Sequence, residues 1–270
     1  MGADVIVLAL DHAGVLVEPG QRLALGQGDF QANHSLTLAQ TGIDFGQQCV
    51  EPFSRQGGYG GRAGDTQYRG GTGGAPYGAS GAPVNPGSGG GTGDNAPGGH
   101  GGGVVLIEAN GTVTVNGSIS ANGKDTTAIN VGPGAGGSIY ITCAAFAGTN
   151  GVLRARGGNG NTTWTGGGGG GRLAVVYDPA TQSGLPVPSV QFNVVGGSGK
   201  HTGDLGTLYL PDSQFLTAAL TNFSGQFCGF STWVPDALLV SNTWIRFSDG
   251  FQLTVTNEVR ITGSSGRLDL

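Results

Sequence analysis

Gly102-Gly103-Val104-Val105-Leu106-Ile107 returns as Gly136-Gly137-Ser138-Ile139-Tyr140-Ile141 and again as Gly170-Gly171-Arg172-Leu173-Ala174-Val175, each time 34 residues further on. A second marker keeps the same offset, because Asn116-Gly-Ser-Ile-Ser-Ala-Asn-Gly123 returns as Asn150-Gly-Val-Leu-Arg-Ala-Arg-Gly157. Two unrelated markers at one spacing define a repeat, and a fixed period of this size signals stacked units that contact only their neighbours. Inside the unit the apolar period is two. Val105, Ile139 and Leu173 correspond, as do Ile107, Ile141 and Val175, while Val104, Ser138 and Arg172 occupy the position that an outward face tolerates. Such alternation means short strands with one buried face. Strands of this kind, separated by Asn-Gly or Gly-Gly corners, predict an all-β fold: a right-handed parallel β-helix, or solenoid, whose like residues stack about 4.8 Å apart. In that register Ile119 lies over Leu153, Ala121 over Ala155, and Asn116 over Asn150 as an amide ladder.

The unit is longer than a simple coil needs, and the excess is visible as loops at 124–136 and 158–170 that leave corresponding corners and lie side by side. A larger Gly-rich insertion, 49–101, precedes the first marked coil and belongs on the same side. Of the 57 glycines, 39 fall between Gly57 and Gly171. Collagen is excluded, since its unbroken Gly at every third position is interrupted here by runs such as Val104 to Ile107. The insertion does carry local three-residue spacings, at Gly58, Gly61, Gly64 and at Gly87, Gly90, Gly93. Polyglycine II has three residues per turn, and bare glycines let such segments pack closely through Cα–H···O contacts. The expectation is a packed polyglycine-II-like loop layer on one side of the solenoid; a disordered surface loop is the competing reading. Residues 102–178 form the coils with Gly-rich loops, and 189–270 read as further coils, so the whole of 1–270 is one elongated solenoid. The strand-and-turn rhythm runs to the last residue, and the chain is read as part of a longer protein whose export signal lies elsewhere.

Composition narrows function. With 12 Lys and Arg against 17 Asp and Glu, net charge −5, there is no basic excess to neutralise phosphates, which argues against nucleic-acid binding. No run of about 18 apolar residues is present to span a membrane. Cys49, Cys143 and Cys228 are odd in number and lack CxxC spacing, which excludes a thiolate zinc site and a dense disulfide framework; one disulfide and three free thiols both remain open.

Residues 57–178 resemble the Gly-rich β-helix modules of large secreted or surface proteins of bacteria and some protists. The resemblance rests on Gly57-Gly-Tyr-Gly-Gly-Arg, Pro86-Gly-Ser-Gly-Gly-Gly, Gly101-Gly-Gly-Val-Val-Leu-Ile and Gly136-Gly-Ser-Ile-Tyr-Ile. It implies an extracellular or cell-surface location and an adhesive or structural role. Gly clustering gives a looser similarity to polyglycine-II-bearing adhesin domains.

No candidate site stands out on motif grounds. Gly171 is followed by Arg172-Leu-Ala-Val, a strand, so the Gly run is not a phosphate-binding loop. His12, His34, His100 and His201 are dispersed without ligand spacing, and Asp11 and His12 point to opposite faces of a strand. No metal, cofactor or catalytic residue is assigned. An enzyme acting on polysaccharides is the main rival, because lyases and hydrolases also use β-helices; of the convergent carboxylates they need, no pair among the 4 Glu and 13 scattered Asp sits at i, i+2 on one strand face, which leaves convergence between coils open. Arg154 and Arg156 share one strand face and suit bidentate capture of a carboxylated or sulfated sugar, or are edge charges that discourage sheet association. Tyr59, Tyr68, Tyr77 and Trp164 fall in the Gly-rich loops, where they either line a binding surface or anchor the Gly layer to the sheet. Trp233 and Trp244 read as structural. A Thr array for ice binding stops after one coil, since Thr112 and Thr114 meet Phe146 and Gly148 at the repeat offset. The expected function is a structural and adhesive module whose partners are a polysaccharide, another protein surface, or further copies joined end to end as a fibre.

Overall fold

The computed structural model of the protein describes residues 5–8, 30–32, 58–65, 72–93 and 96–270. The chain runs in repeated passes. The first holds β1 (Val5–Leu8) and β2 (Phe30–Ala32), the second β3 (Val104–Glu108), β4 (Thr112–Val115) and β5 (Ser118–Ser120), and the third β6 (Ser138–Thr142), β7 (Ala145–Ala147) and β8 (Thr149–Arg154). Next come β9 (Arg172–Val176), the helical turn α1 (Pro179–Gln182) and β10 (Ser189–Asn193), then β11 (Thr207–Tyr209) and β12 (Phe223–Cys228). The last passes contain β13 (Thr232–Trp233), β14 (Ala237–Ser241), β15 (Trp244–Phe247), β16 (Gln252–Leu253), β17 (Glu258–Thr262) and β18 (Arg267–Asp269).

Every strand pairs with its counterpart one pass away, always in parallel. The first row is β1-β3-β6-β9-β11-β12 and continues through β15 to β18; a second row is β2-β4-β7; a third, β5-β8-β10, joins the first at β12. The chain is therefore all-β, with its strands in a curled, open, all-parallel sheet. In the first and third rows the register is the 34-residue offset of the sequence: Val105, Ile139 and Leu173 are level, and so are Ile119 and Leu153.

The second row departs from the sequence expectation by one residue. Val113 pairs with Phe146, an offset of 33, so Thr112 and Thr114 face Ala145 and Ala147. The lost residue is regained around Asn150, which takes the left-handed conformation at φ 56°, one that Asn tolerates better than most residues. Asn116 is displaced accordingly, and its Oδ1 accepts from the Thr149 amide at 2.8 Å.

The concave side holds one continuous core, from Val105, Ile107 and Val113 through Leu153 and Leu173 to Ile245 and Phe247. Phe192 stacks on Phe223 at 5.0 Å and Phe227 on Phe247 at 5.4 Å. Where the second row has no strand after β7, α1 takes its place. Asp178 caps the turn by accepting from the Ala180 amide, and Pro179 follows at the first helical position. The buried Gln182 then supplies the missing partner, its Oε1 accepting from the Phe146 amide at 2.8 Å.

The Gly-rich segments form a hydrogen-bonded lattice beside this sheet. Within 166–171 the donors repeat every third residue. Gly167 and Gly170 donate to His201 and Asp204 carbonyls, while Gly168 and Gly171 donate to those of Gly158 and Ala155. The same segment accepts from Gly61 and Gly64 on another side, through the carbonyls of Gly170 and Gly167. Three residues per turn is the periodicity that lets one extended segment bond to several neighbours around it. The next segment repeats the scheme, with Gly99 and Gly102 donating to Gly132 and Ala135, and Gly87 and Gly90 donating back to Gly102 and Gly99. The insertion thus supplies the outer members of the lattice through 58–65 and 87–93.

These contacts leave no room for side chains. A Cβ on Gly170 would sit 1.9 Å from the Val194 oxygen and 2.4 Å from the Gly206 nitrogen. Gly184, by contrast, has nothing within 4 Å and only a positive φ of 85°. Gly184→Ala is expected to cost about 1–2 kcal/mol, the strain of a left-handed residue. Gly170→Ala should cost more than about 3 kcal/mol, because overpacking meets backbone on both sides. Urea unfolding monitored by circular dichroism compares the two.

Candidate functional site

Two solvent-side faces of the sheet carry polar chemistry, and they differ in what covers them. On the convex side of the first row, Val104, Ser138 and Arg172 are level. All three are buried, at 2%, 0% and 6% exposure, which corrects the reading of this position as an open outward face. The Gly-rich insertion lies over it. Tyr59 is fully buried and its hydroxyl pairs with Ser138 Oγ at 2.8 Å, while Ser138 Oγ donates to the Asn85 carbonyl at 2.6 Å. Arg172 clamps the same segment. Its Nε and Nη2 donate to the Tyr77 carbonyl at 3.0 and 2.7 Å, Nη1 donates to Thr207 Oγ1 at 3.1 Å, and the guanidinium lies 5.2 Å from the Tyr59 ring centre. Burial pulls the Arg172 pKa below the ordinary guanidinium value, opposed by Tyr59, Cys228 and Tyr77. Tyr77 packs on Tyr59 with ring centres 4.8 Å apart, and its hydroxyl donates to the Pro86 carbonyl at 2.7 Å.

On the convex side of the third row nothing described lies over the strands. Leu153 and Ala155 point inward and are fully buried. Arg154 and Arg156 alternate with them and are exposed. The two positions are about 7 Å apart along the extended backbone, and among the described residues no hydrogen bond or ion pair engages either guanidinium. Ser120 pairs with Arg154 from one side and Asn193 from the other. The face is held by side-chain staples between passes, since Asn122 Oδ1 accepts from the Arg156 amide at 2.8 Å and Asp125 Oδ1 from the Asn159 amide at 2.6 Å. Asn159 passes the staple on, its Oδ1 accepting from Ser198 N at 2.8 Å.

A shallow groove of about 420 Å³ opens at the corner between the first two rows, lined by Asn110, Thr142, Cys143, Tyr177 and Asp178 among others. Burial pushes the Cys143 thiol up to about 12, with a partly compensating hydrogen bond from the Val113 backbone. Such a thiol stays protonated at neutral pH and is a poor nucleophile. Tyr177 donates to Asp212 and stacks on Phe215 at 4.5 Å; burial, then the Asp212 contact, raises its pKa. Cys143 and Cys228 are both free thiols. Among the described residues no three His, Cys, Asp or Glu side chains come together, and no helix is long and apolar enough to cross a membrane.

The sequence candidates are thus dispersed over three places. Tyr59 and Tyr77 lie between insertion and first row, Arg154 and Arg156 on the third row, and Trp164, 40% exposed, at the tip of a Gly-rich loop. Tyr68, Cys49, His12 and His34 lie outside the described residues. Trp233 is buried beside Phe247, whereas Trp244 faces outward under Arg267, 4.4 Å from its ring centre, and donates to Asp269 at 2.9 Å. Arg172 escaped sequence reasoning. The available signal was Val104, an aliphatic residue at a supposedly solvated position. No known protein family, curated protein or solved structure matches the chain.

Arg172→Ala should release the insertion while leaving the sheet intact. Hydrogen exchange is expected to accelerate across 72–93, with unfolding free energy falling by about 2–3 kcal/mol for the lost charged hydrogen bonds. Cys143 should be alkylated by iodoacetamide at pH 8 on the order of a hundredfold or more slowly in the folded chain than in urea, read residue by residue by peptide mass spectrometry.

Proposed function

We propose that the chain is a structural and adhesive module of an extracellular or cell-surface protein, in the manner of the Gly-rich β-helix modules it resembles. The curled sheet is read as a parallel β-helix, because successive passes visit the rows in the same order, and as right-handed because connections between parallel strands overwhelmingly take that hand. Its Gly-rich side is read as polyglycine II, from the three-residue hydrogen-bond period.

The observation that carries the reading is the clamped Gly-rich layer on the first row. Backbone-to-backbone bonds and the Arg172 contacts fix it, and it widens the body without contributing flexible side chains. Residues on the uncovered faces are thereby held at fixed spacings, and a rigid array loses little entropy when it meets an extended polymer or a partner surface. A polysaccharide-degrading enzyme is the rival.

Electrophoresis of the native protein through gels cast with neutral, carboxylated or sulfated polysaccharides separates the two. Retardation with the polymer intact is the expected result. A cleared zone in the stained polymer would establish an enzyme instead.

A further inference from the structure

We propose that the convex face of the third strand row is the binding strip of this module, and that its ligand is a carboxylated polysaccharide, a chain bearing one carboxylate per sugar. The proposal rests on the adhesive reading and names the ligand class and the residues that would take it.

Arg154 and Arg156 are the reason. Among the described residues the other surface arginines are committed: Arg62 pairs with Asp65 at 2.7 Å, Arg246 with Asp204 at 2.9 Å, Arg260 with Glu258 at 3.6 Å, and Arg267 with Asp269 at 2.8 Å. Among the described residues, only Arg154, at the end of β8, and Arg156, two residues further on, are successive outward positions whose guanidiniums no described acid neutralises. The acid one pass away, Asp125, is occupied by Asn159 through its amide at 2.6 Å and its side-chain nitrogen at 3.3 Å. Lys124, exposed one pass away, adds a third positive charge beside it.

The spacing selects the ligand. The two side chains leave the backbone about 7 Å apart and are flanked by neutral hydrogen-bonding groups, namely Ser120 and Asn193 level with Arg154 and the exposed Gln191 level with Val152. A planar carboxylate matches the guanidinium fork with two parallel hydrogen bonds, and sugar hydroxyls match Ser, Asn and Gln, which both donate and accept. A polymer with a single charge per sugar likewise surrounds each carboxylate with hydroxyls. A densely sulfated chain would place further anions against neutral residues on a protein of net charge −5. The staples from Asn122 and Asp125 keep neighbouring passes in register, so the strip is preorganised.

The test uses polygalacturonate, its methyl-esterified form, dextran sulfate and unmodified dextran in affinity electrophoresis, with wild type, Arg154→Gln/Arg156→Gln and, as a surface control, Lys200→Gln. Thermal melts confirm that the exposed substitutions leave the fold intact. Expected is retardation of wild type by polygalacturonate and not by the ester, weakened once salt exceeds about 0.1 M, where screening acts within ~10 Å. The double variant should lose affinity by at least about tenfold per arginine, and Lys200→Gln should behave as wild type. Retardation by polygalacturonate that survives in the double variant overturns the strip and leaves the adhesive reading standing. Stronger retardation by dextran sulfate, abolished in the double variant, overturns the carboxylate assignment alone. No retardation of wild type by any of the four overturns the strip and removes the support for glycan adhesion together.

Discussion

Backbone meeting backbone with no side chain between them is the constraint from which the rest of this molecule follows. In the Gly-rich layer a carbonyl oxygen occupies the place of a Cβ at position after position, 1.8 Å from where it would stand at Gly167 and 1.9 Å at Gly134. Segments at that separation can donate and accept in several directions, so a layer with almost no apolar side chains satisfies its amides internally. Glycine is normally a liability in ordered structure because it loses the most conformational freedom. Here the close approach offsets that cost with a dense set of hydrogen bonds and Cα–H···O contacts.

The layer has consequences for the sheet beneath it. A curled parallel sheet with its core on the concave side would ordinarily expose its convex face, and period-two alternation would then put polar residues there. Beneath the insertion the convex positions are instead buried; Ser138 and Arg172 become hydrogen-bonding anchors for carbonyls and hydroxyls of the covering segment, and Thr207 accepts from Arg172. Arg172 is suited to this place because its donors lie in a plane and reach several acceptors at once. The third row has no such cover, and the same alternation there leaves Arg154 and Arg156 to solvent. Two chemically similar positions on one repeat have opposite fates, decided by which face the insertion reaches.

Much of the architecture was legible in the linear chain. The 34-residue offset predicted the pairing of Val105 with Ile139 and Leu173 and of Ile119 with Leu153, because parallel stacking places equivalent residues of successive repeats level. The offset failed in the second row, where local turns around Gly111 and Asn150 shift the register by one residue without altering the repeat length. The replacement of a second-row strand by α1 was equally hidden, since only the fold brings Gln182 to the Phe146 amide. Of the candidate residues, Arg154 and Arg156 could be placed on one outward face from alternation alone. Tyr59 could be assigned to the Gly-rich region but not to full burial, which depends on Ser138 and Arg172, 79 and 113 residues away.

What the sequence by itself determined is the repeat: strands of period two, Gly-rich loops at corresponding corners, and a core of aliphatic residues stacked on their own kind. These are local properties, since periodicity and the absence of side chains are written residue by residue. Tertiary structure alone decided which convex face is covered and which is open, because that depends on where a long insertion returns to the sheet and which distant carbonyls it brings within reach of a guanidinium.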